Sequence, residues 1–533
     1  MPRRRVSRKW RWLVGIAVLF LIALGICIPI AIIRAQPILR ARVVETLAVR
    51  FKSRVELGEL HVWITNGLHA EGKGLQIYGA TDPNPWLPGV QPLLSIEEFH
   101  FQTSLRNLFR EPMKLDTIYV SGFTMNIPPK KDRREMRSFR SPGQRMKIAV
   151  AHFIFAGAKL VINTDKPGKA PLEFDISNLR MTDIGPGRPL HFDATLVNPK
   201  PVGDIHSAGS FGPFDELSPR DSAVEGDYSF TNADLGSIRG IGGILTSTGR
   251  YGGTLGRIEV MGETDTPDFR LSISGHAVPL HTDFHAIVDG TDGDTYLEPV
   301  RARFLQTSFS ASGKIVRVKD PPGRQIDLDV AMTRGSIEDL LRLGVRTEPP
   351  IMTGPIRLKT KLNLSPGQSD ISDRLLLAGL FQVAAGHFTN NKVQTRIDNL
   401  SLRGQGEPQL IGKDIDVATD LKGRFILQDG VLSFSMLHFQ IPGTQADMTG
   451  NYSLDGALFD FHGLLKTDAK LSQMTTGWKS ILLKPVDPFF HKHGSGAEIP
   501  FKITGTRAEP HFGLDLGHDH SDSEAFHEQS TRQ

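Results

Sequence analysis

Cysteine is almost absent from this 533-residue sequence, which contains only Cys27. A single cysteine excludes an intramolecular disulfide and a metal site built from several thiolates. Cys27 follows Ile26, whereas the lipid-modified cysteine of a lipoprotein follows a small residue, so we interpret Cys27 as a passive residue. The fold must then depend on side-chain packing and strand pairing.

The sequence also lacks an excess of charge of one sign. Lys and Arg number 62 and Asp and Glu number 58, which gives a formal net charge of +4. A nucleic-acid-binding protein would show a concentrated basic surface, so we expect no nucleic-acid partner. With 39% hydrophobic and 23% charged residues, the composition further excludes a disordered polyelectrolyte and a polytopic transporter.

Sequence motifs that mark catalysis or cofactor binding are missing as well. We find no Gly-x-Ser-x-Gly elbow, phosphate-binding loop, His-Glu-x-x-His pair or dinucleotide-binding glycine fingerprint. We therefore predict no catalytic, cofactor-binding or metal-binding residue, no cofactor and no enzymatic activity. A glycoside hydrolase with paired carboxylates remains an alternative, because the separation of two carboxylates is a property of the folded chain.

A long hydrophobic run is present once, near the N-terminus. Residues 13–33 are 21 uncharged residues, enough for a helix that crosses the roughly 30 Å hydrocarbon core of a bilayer. Six basic residues lie among the twelve before the run and three among the twelve after it, which predicts a cytoplasmic N-terminus. A cleaved signal peptide is the alternative, but the run is long and Ile33-Arg34-Ala35 is a poor cleavage site. We expect an uncleaved single-pass anchor.

An amphipathic helix of about fifteen residues is predicted directly after this run. Pro37 stands at a helix-start position, and apolar residues follow at every fourth position: Leu39, Val43, Leu47 and Phe51. We interpret the helix as a cap packed on the first sheet. In the alternative, three of its basic residues contact anionic lipid head groups: Arg40, Arg42 and Arg50.

From Val55 onward the hydrophobic period changes from 3.6 to 2, which is typical of strands with one apolar face. The clearest alternation lies at 192–196, 269–273, 300–304, 326–332, 356–364, 393–397, 446–454 and 459–465. Turn signals such as Asn66-Gly67 and Asp429-Gly430 separate the segments and predict an antiparallel meander. Two short helices are predicted as caps, at 336–343 and 469–483.

About 25 strands with so few helices raise the question of how the apolar faces are covered. At 4.7 to 4.9 Å between strands the sheet would be roughly 120 Å long, and open sheets of that size curl, split or close. The apolar face can fold on itself in sandwiches or barrels, or curl into a groove whose lining stays available to an apolar guest. Periodicity alone does not separate these two architectures.

Two further segments carry many charged or histidine residues. Residues 131–146 lie within a basic stretch bounded by prolines, which we interpret as a solvated loop, with a membrane-facing loop as the alternative. Residues 511–533 contain four histidines and several acids, and we expect a disordered polar tail without a specific metal site.

The chain resembles AsmA-like proteins at both ends, most strongly at residues 37–128 and 423–516. The N-terminal part of the resemblance is the order of apolar run and amphipathic helix, followed by VELGELHVWITNGLHAEGKGLQI and SIEEFHFQTSLRNLFREPMKLDTIYVSGFTMNIP. The C-terminal part includes GRFILQDGVLSFSMLHFQIPGTQADMTGNYSLDGALFDFHGLL, KLSQMTTGWKSILL and AEIPFKITGTRAEPHF. The last of these segments is the most specific.

The resemblance, and through it the similarity to the wider bridge-like lipid transfer group, implies a β groove lined by apolar residues. It implies a bacterial protein with a single-pass inner-membrane anchor, its bulk in the periplasm, and a role in phospholipid supply to the outer membrane and in envelope homeostasis. Membrane lipids would be the partners, with outer-membrane or envelope proteins as further partners. The alternative is a non-enzymatic scaffold that modulates outer-membrane protein assembly. Five residues are candidates for the groove lining: Phe459, Phe461, Leu465, Phe501 and Ile503.

These interpretations predict a mainly β fold: an N-terminal transmembrane helix, then an elongated antiparallel sheet curled into a groove, with a few short capping helices. The sequence divides into a basic tail at 1–12, an anchor at 13–33, an AsmA-like helix and β region at 34–130, a basic loop at 131–146, a middle groove region at 147–335, an AsmA-like C-terminal β region at 336–510 and a polar tail at 511–533.

Overall fold

A computed structural model of the chain describes residues 36–45, 47–49, 53–78, 91–108, 110–127, 148–163, 171–214, 218–318, 323–346, 348–367, 369–413, 415–454, 458–476, 484, 496–506 and 509–515. The predicted anchor at 13–33, the basic loop at 131–146 and the tail after residue 515 lie outside these residues. Within them, no helix has both the length and the apolar character needed to cross a membrane. The described part of the chain is mainly β, with 64% of its residues in strands.

The chain divides into two compact units, Met1–Thr231 with Arg250–Leu255 and Asn232–Gly249 with Gly256–Gln533. We call them the N-terminal and the C-terminal unit. The strands of the N-terminal unit are β1 (Val55–Glu56), β2 (Glu59–Ile64), β3 (Leu68–Ile77), β4 (Leu94–Thr103), β5 (Met113–Ile127), β6 (Ile148–Ile162), β7 (Leu172–Ile184), β8 (Leu190–Pro199) and β9 (Val202–Phe211). Two strands have residues in both units: β10 (Ala223–Asp234) and β12 (Ile244–Thr254).

Strand pairing in the N-terminal unit follows chain order, and one of the pairs named below is parallel while the others are antiparallel. Both β1 and β2 pair with β3, and β3 to β9 then pair successively. The predicted antiparallel meander is wrong for β5 and β6, which run parallel. Residues 128–147 connect them. The 15 residues of β5 extend about 50 Å, and twenty connecting residues reach about 66 Å, so a return crossover needs no helix.

The helix predicted after the apolar run is present as α1, at 36–45 and 47–49. Its packing is incomplete, because Leu39 is 40% exposed and Ile38 is 66% exposed. Arg40 donates a hydrogen bond from Nε to the carbonyl oxygen of Leu57, 2.7 Å away. At least one of the arginines considered for head-group contact therefore contacts the protein. A second, one-turn helix, α2, spans Leu105–Leu108.

In the C-terminal unit the strands are β11 (Ile241–Gly242), β13 (Arg257–Leu271), β14 (Val278–Val288), β15 (Thr295–Phe304), β16 (Thr307–Val318), β17 (Gly323–Ser336), β18 (Met352–Thr353), β19 (Pro355–Leu364), β20 (Leu375–Phe388), β21 (Thr419–Gln428), β22 (Val431–Ile441), β23 (Thr444–Ser453), β24 (Phe459–Thr467), β25 (Ala497–Gly505) and β26 (Pro510–Leu514). From β13 to β26 neighbours in sequence pair antiparallel, apart from β18, which pairs with the end of β20. Among the described strands β26 pairs only with β25, so the sheet is open and does not close into a barrel.

The hairpin between β21 and β22 shows how turn chemistry sets this register. Asp429 and Gly430 both have positive φ, at 50° and 72°. Two successive residues of this kind form the turn whose twist matches that of paired strands, and Asp-Gly is a preferred sequence for it. The turn predicted at these two residues is confirmed.

Helices of the C-terminal unit are α3 (Ile337–Gly344), α4 (Ile371–Arg374) and α5 (Asn391–Gly404). The helix predicted at 336–343 is confirmed as α3. The helix predicted at 469–483 is described only in part, as a short 3-10 helix at Leu471–Met474; residues 477–483 lie outside the described residues. Other 3-10 turns in the chain span Pro219–Asp221, Leu235–Ser237 and Pro408–Leu410.

The strand predicted at 393–397 is wrong, because these residues belong to α5. The side chain of Asn390 accepts hydrogen bonds from the backbone N–H groups of Lys392 and Val393, which caps the helix. Asp398, Ser401 and Leu402 are buried, a helical spacing. Three alternating residues within a longer helical pattern imitated a strand.

The best-packed core of the C-terminal unit lies where α3 covers one end of the strands. Its fully buried members come from β14, β15, β17, β18, β19 and β20: Val278, Phe304, Met332, Met352, Ile356 and Val383. The apolar side of α3 packs against them through Ile337, Leu340, Leu341 and Leu343. This burial stabilises the end of the sheet to which α3 is attached.

We expect Val383→Ala to destabilise the protein by about 2 kcal/mol, because Val383 is only 1% exposed and its truncation leaves a cavity. Leu380→Ala on the same strand is the matched control. Leu380 is 47% exposed, and its truncation should change the free energy of unfolding by less than about 0.5 kcal/mol. Urea denaturation of both variants checks this. Equal losses would contradict the placement of the core.

A histidine on β24, His462, hydrogen-bonds a carboxylate that directly follows β26. Nδ1 of His462 hydrogen-bonds Oδ2 of Asp515 at 2.6 Å, and Nε2 lies 3.1 Å from Oδ1 of Asp460. Asp515 follows β26 and is 5% exposed. The hydrogen bond to Asp515 raises the pKa of His462 above its ordinary value of 6.5, and the two carboxylate charges add to the effect.

A raised pKa in the folded state means that the folded protein binds this proton more tightly than the unfolded chain. The resulting stabilisation is fully present below pH 6.5 and is lost as pH rises through the raised pKa. We expect the difference in melting temperature between the wild type and His462→Gln to be larger at pH 5.5 than at pH 8.5. A difference that does not change with pH would contradict this role of His462.

Candidate functional site

Strand register in the C-terminal unit places apolar side chains of successive strands on one face in straight rows. Side chains alternate between the two faces of a strand, and residues paired across strands lie on the same face. We call the face that contains Leu328, Leu362 and Leu377 the apolar face. The opposite face, which we call the outer face, contains Asp327, Lys361 and other charged residues.

One row on this face consists entirely of leucine across five adjacent strands. Its members are paired in direct register from β17 through β19, β20 and β21 to β22: Leu328, Leu362, Leu377, Leu427 and Leu432. We call this set the leucine row. With four spacings of 4.7 to 4.9 Å, it is about 19 Å long and runs across the strands.

A second apolar row lies two residues closer to the strand ends. It is formed by residues of β16, β17, β19 and β20: Ile315, Ile326, Leu364 and Leu375. The two rows together form a continuous aliphatic surface, and no polar residue separates neighbouring members of a row.

Burial changes along the strands of this face. Ile356 and Val383, near α3, are 4% and 1% exposed. Every member of the leucine row and of the row beside it is only half-buried by the described residues. Side chains between two packed sheets would be buried like Ile356, so the described residues do not cover this part of the apolar face as a second sheet of a sandwich would.

The covered end is held by polar contacts from α3. Asp339 is buried, and its Oδ2 accepts hydrogen bonds from Oγ1 of Thr307 at 2.7 Å and from the backbone N–H of Gln306 at 3.0 Å. The backbone N–H of Gly354 donates to Glu338 at 3.1 Å. A buried carboxylate that is hydrogen-bonded in this way fixes α3 in position, because movement of the helix would leave these polar groups without hydrogen-bond partners.

On β20 to β24 the middle of the apolar face is formed by phenylalanine rings. Ring centroids are 6.1 Å apart for Phe381 and Phe425, 6.1 Å for Phe381 and Phe434, and 5.9 Å for Phe434 and Phe461. Glycine makes room for them, because a Cβ at Gly423 would lie 2.9 Å from a ring carbon of Phe381. The rings form a floor between the covered end and the leucine row.

Four of the five lining residues predicted from sequence, Phe461, Leu465, Phe501 and Ile503, lie on one face of β24 and β25, as the alternation requires. Phe461 is directly opposite Ile503 and is 6% exposed, so it packs as an ordinary core residue against Phe434. Leu465, Phe501 and Ile503 are half-buried. Phe459 is paired with Gly505, but its side chain lies outside the described part of the structure.

The leucine row was not selected from the sequence. The alternation at 326–332 and 356–364 did predict that Leu328 and Leu362 each lie on the apolar face of their own strand. Their alignment with Leu377, Leu427 and Leu432 depends on the register of four strand pairs, which the sequence pattern does not supply.

The outer face is charged and carries one group of potential metal ligands among the described residues, Glu263, His281 and Asp283. Nδ1 of His281 already hydrogen-bonds Asp265 at 2.7 Å, and this bond raises the pKa of His281. The carboxylates therefore act as ion-pair partners of a histidine. Apolar residues also occur on this face, but charged residues such as Lys422 and Arg424 separate them.

Comparison of the chain with protein-family models gives no match, and comparison with curated proteins gives none either. What this surface can do chemically follows from its own side chains. Its leucine row offers no nucleophile, acid, base or metal ligand. What it offers is a continuous aliphatic surface that the described residues leave half-covered.

Proposed function

We propose that the apolar face of the C-terminal unit binds the acyl chains of membrane lipids, and that the protein is an AsmA-like, inner-membrane-anchored protein that carries phospholipid towards the outer membrane. The observation that supports this most is the half-buried leucine row. Its five leucines are aligned by strand register and are not covered by the helices that cover Ile356 and Val383.

The dimensions of the row suit an acyl chain. One leaflet occupies half of the hydrocarbon core, so a lipid tail extends about 15 Å along the bilayer normal. The leucine row is about 19 Å long, and the row of Ile315, Ile326, Leu364 and Leu375 runs beside it. A tail can therefore lie along the row over most of its length.

The energetics permit movement as well as binding. Each methylene removed from water contributes about 0.8 kcal/mol, so a tail on the leucine row loses little relative to the bilayer. Contacts between aliphatic groups have no preferred direction, and a shift by one strand spacing exchanges one leucine for the next. A row of identical side chains thus holds a tail without fixing its position.

Proximity to a lipid source is the second support. The uncharged run at 13–33 precedes α1 and has the length of a membrane anchor. The order of run, helix and β segments, together with the C-terminal segments quoted above, resembles AsmA-like proteins. An anchor of this kind would hold the protein at a membrane that contains phospholipid.

Leu377→Asp should reduce the phospholipid that co-purifies with the full chain several-fold, because a carboxylate in the middle of the leucine row cannot be desolvated by an acyl chain. Leu376→Asp is the matched control. It makes the same chemical change at the adjacent residue, whose side chain points to the outer face and is 36% exposed. Mass spectrometry of extracted lipid, normalised to folded protein, is the measurement.

A scaffold for outer-membrane protein assembly, with its apolar face covered, would carry no stoichiometric lipid in either variant or in the wild type. Equal lipid content in Leu377→Asp and the wild type, with circular dichroism unchanged, would rule out the leucine row as the binding surface.

A further inference from the structure

The apolar face ends in two arginines where the aliphatic alternation would place further apolar residues. Arg317 follows Ile315 by two residues on β16, and Arg324 precedes Ile326 by two residues on β17. Strand register pairs Arg317 directly with Arg324, just as it pairs Ile315 with Ile326. The two arginines therefore extend the apolar face at the end remote from α3.

The described residues provide hydrogen-bond partners for the guanidinium group of Arg324 but not for that of Arg317. Arg324 donates from Nη1 to the carbonyl oxygen of Gly293 at 2.6 Å and from Nη2 to that of Asp292 at 2.9 Å, and its Nη1 lies 3.6 Å from Oδ1 of Asp294. The guanidinium of Arg317 makes no hydrogen bond or ion pair with the described residues. Only its backbone N–H is engaged, with Oδ1 of Asp294 at 2.8 Å.

Two like charges directly opposite each other on a sheet are destabilising. One carboxylate, Asp294, lies within ion-pair distance of Arg324, and among the described residues none lies within that distance of Arg317. Counted over the described residues, the pair and Asp294 together therefore have a net positive charge. An anion between the two guanidinium groups would remove the repulsion, and phosphate oxygens match the donor geometry of guanidinium.

We propose that Arg317 and Arg324 bind the phosphate of a phospholipid whose acyl chain lies on the leucine row. This inference rests on the proposed function and deepens it by assigning the polar end of the guest. At about 3.3 Å per residue, the arginine pair lies about 7 Å from Ile326 and about 13 Å from Leu328 along β17. The head group is then at the rim in water while the tail runs across the strands.

The site would favour lipids with a negatively charged phosphate over lipids without one. Arginine side chains place their aliphatic stems along apolar surface and their charge in solvent, so Arg317 can reach the phosphate without covering Ile315. The side chain of Arg324 is 38% exposed and retains donors that its two carbonyl partners do not use.

The test compares dioctanoyl-phosphatidylglycerol with dioctanoylglycerol, which has the same tails and no phosphate. Native mass spectrometry of the full chain, released from a phosphate-free detergent, gives both affinities. We expect the wild type to bind the phosphatidylglycerol about tenfold more tightly, the effect of one charge-assisted hydrogen bond. Arg317→Gln with Arg324→Gln should abolish this preference and leave binding of dioctanoylglycerol unchanged.

The matched control is Arg301→Gln with Arg303→Gln on β15. These two substitutions remove the same amount of charge from the outer face, where Arg301 and Arg303 pair in register with Asp283 and His281. This variant should keep the preference. Arg317→Gln alone serves as a second variant, because its guanidinium has no described protein partner to lose, and it should reduce the preference about threefold.

A preference that survives in the double variant, or that falls equally in the control, overturns the assignment. Inorganic phosphate that binds the wild type at low millimolar concentration, without any preference between the two lipids, would identify a site for free anions and overturn it too. Failure of the wild type to bind either lipid would overturn the proposed function itself. A wild type that binds both lipids equally tightly would overturn only the role of the arginines.

Discussion

The structure of the C-terminal unit depends on one mismatch, between the area of apolar sheet and the small amount of helix available to cover it. Six strands of this unit, β16, β17, β19, β20, β21 and β22, each have an apolar face, because their side chains alternate and their register keeps equivalent residues aligned. Helix α3 covers only the strand ends near Val383 and Ile356. Burial of the rest requires a second layer, and the described residues do not supply one around the leucine row.

This mismatch gives different parts of the same strand different roles. On β20, Val383 is part of a dry core, Phe381 belongs to the aromatic floor, and Leu377 lies in the half-buried row. Buried polar contacts such as that between Asp339 and Thr307 fix the covered end. In the proposed function, this combination of a fixed end and a half-buried row on one strand would let an apolar guest bind without reorganisation of the sheet.

Much of this architecture could be predicted from sequence, because period-two alternation reports directly on which side chains share a face. The β class, the turn at Asp429-Gly430 and helix α3 follow from local patterns. The parallel pairing of β5 with β6 does not, because the intervening segment has no helical signal. Helix α5 was missed because Val393, Thr395 and Ile397 alternate by chance within a helix that is capped by Asn390.

The candidate surface was harder to predict for a related reason. Phe461 was a reasonable candidate for a groove lining, but its burial depends on Phe434, which lies two strands away. The leucine row is an alignment of single residues from five strands, and no one strand reveals it. Register is set by turns, bulges and cross-strand packing together, so it becomes visible only in the folded sheet.

In the function proposed above, lipid and not polypeptide contacts the leucine row. A photo-reactive benzoylphenylalanine placed at residue 377 of the full chain, irradiated in native membranes and analysed by mass spectrometry, tests this directly. If lipid lies on the row, we expect an adduct whose added mass is that of a phospholipid. A crosslink to another segment of the same chain at that position, with no lipid adduct, would contradict it.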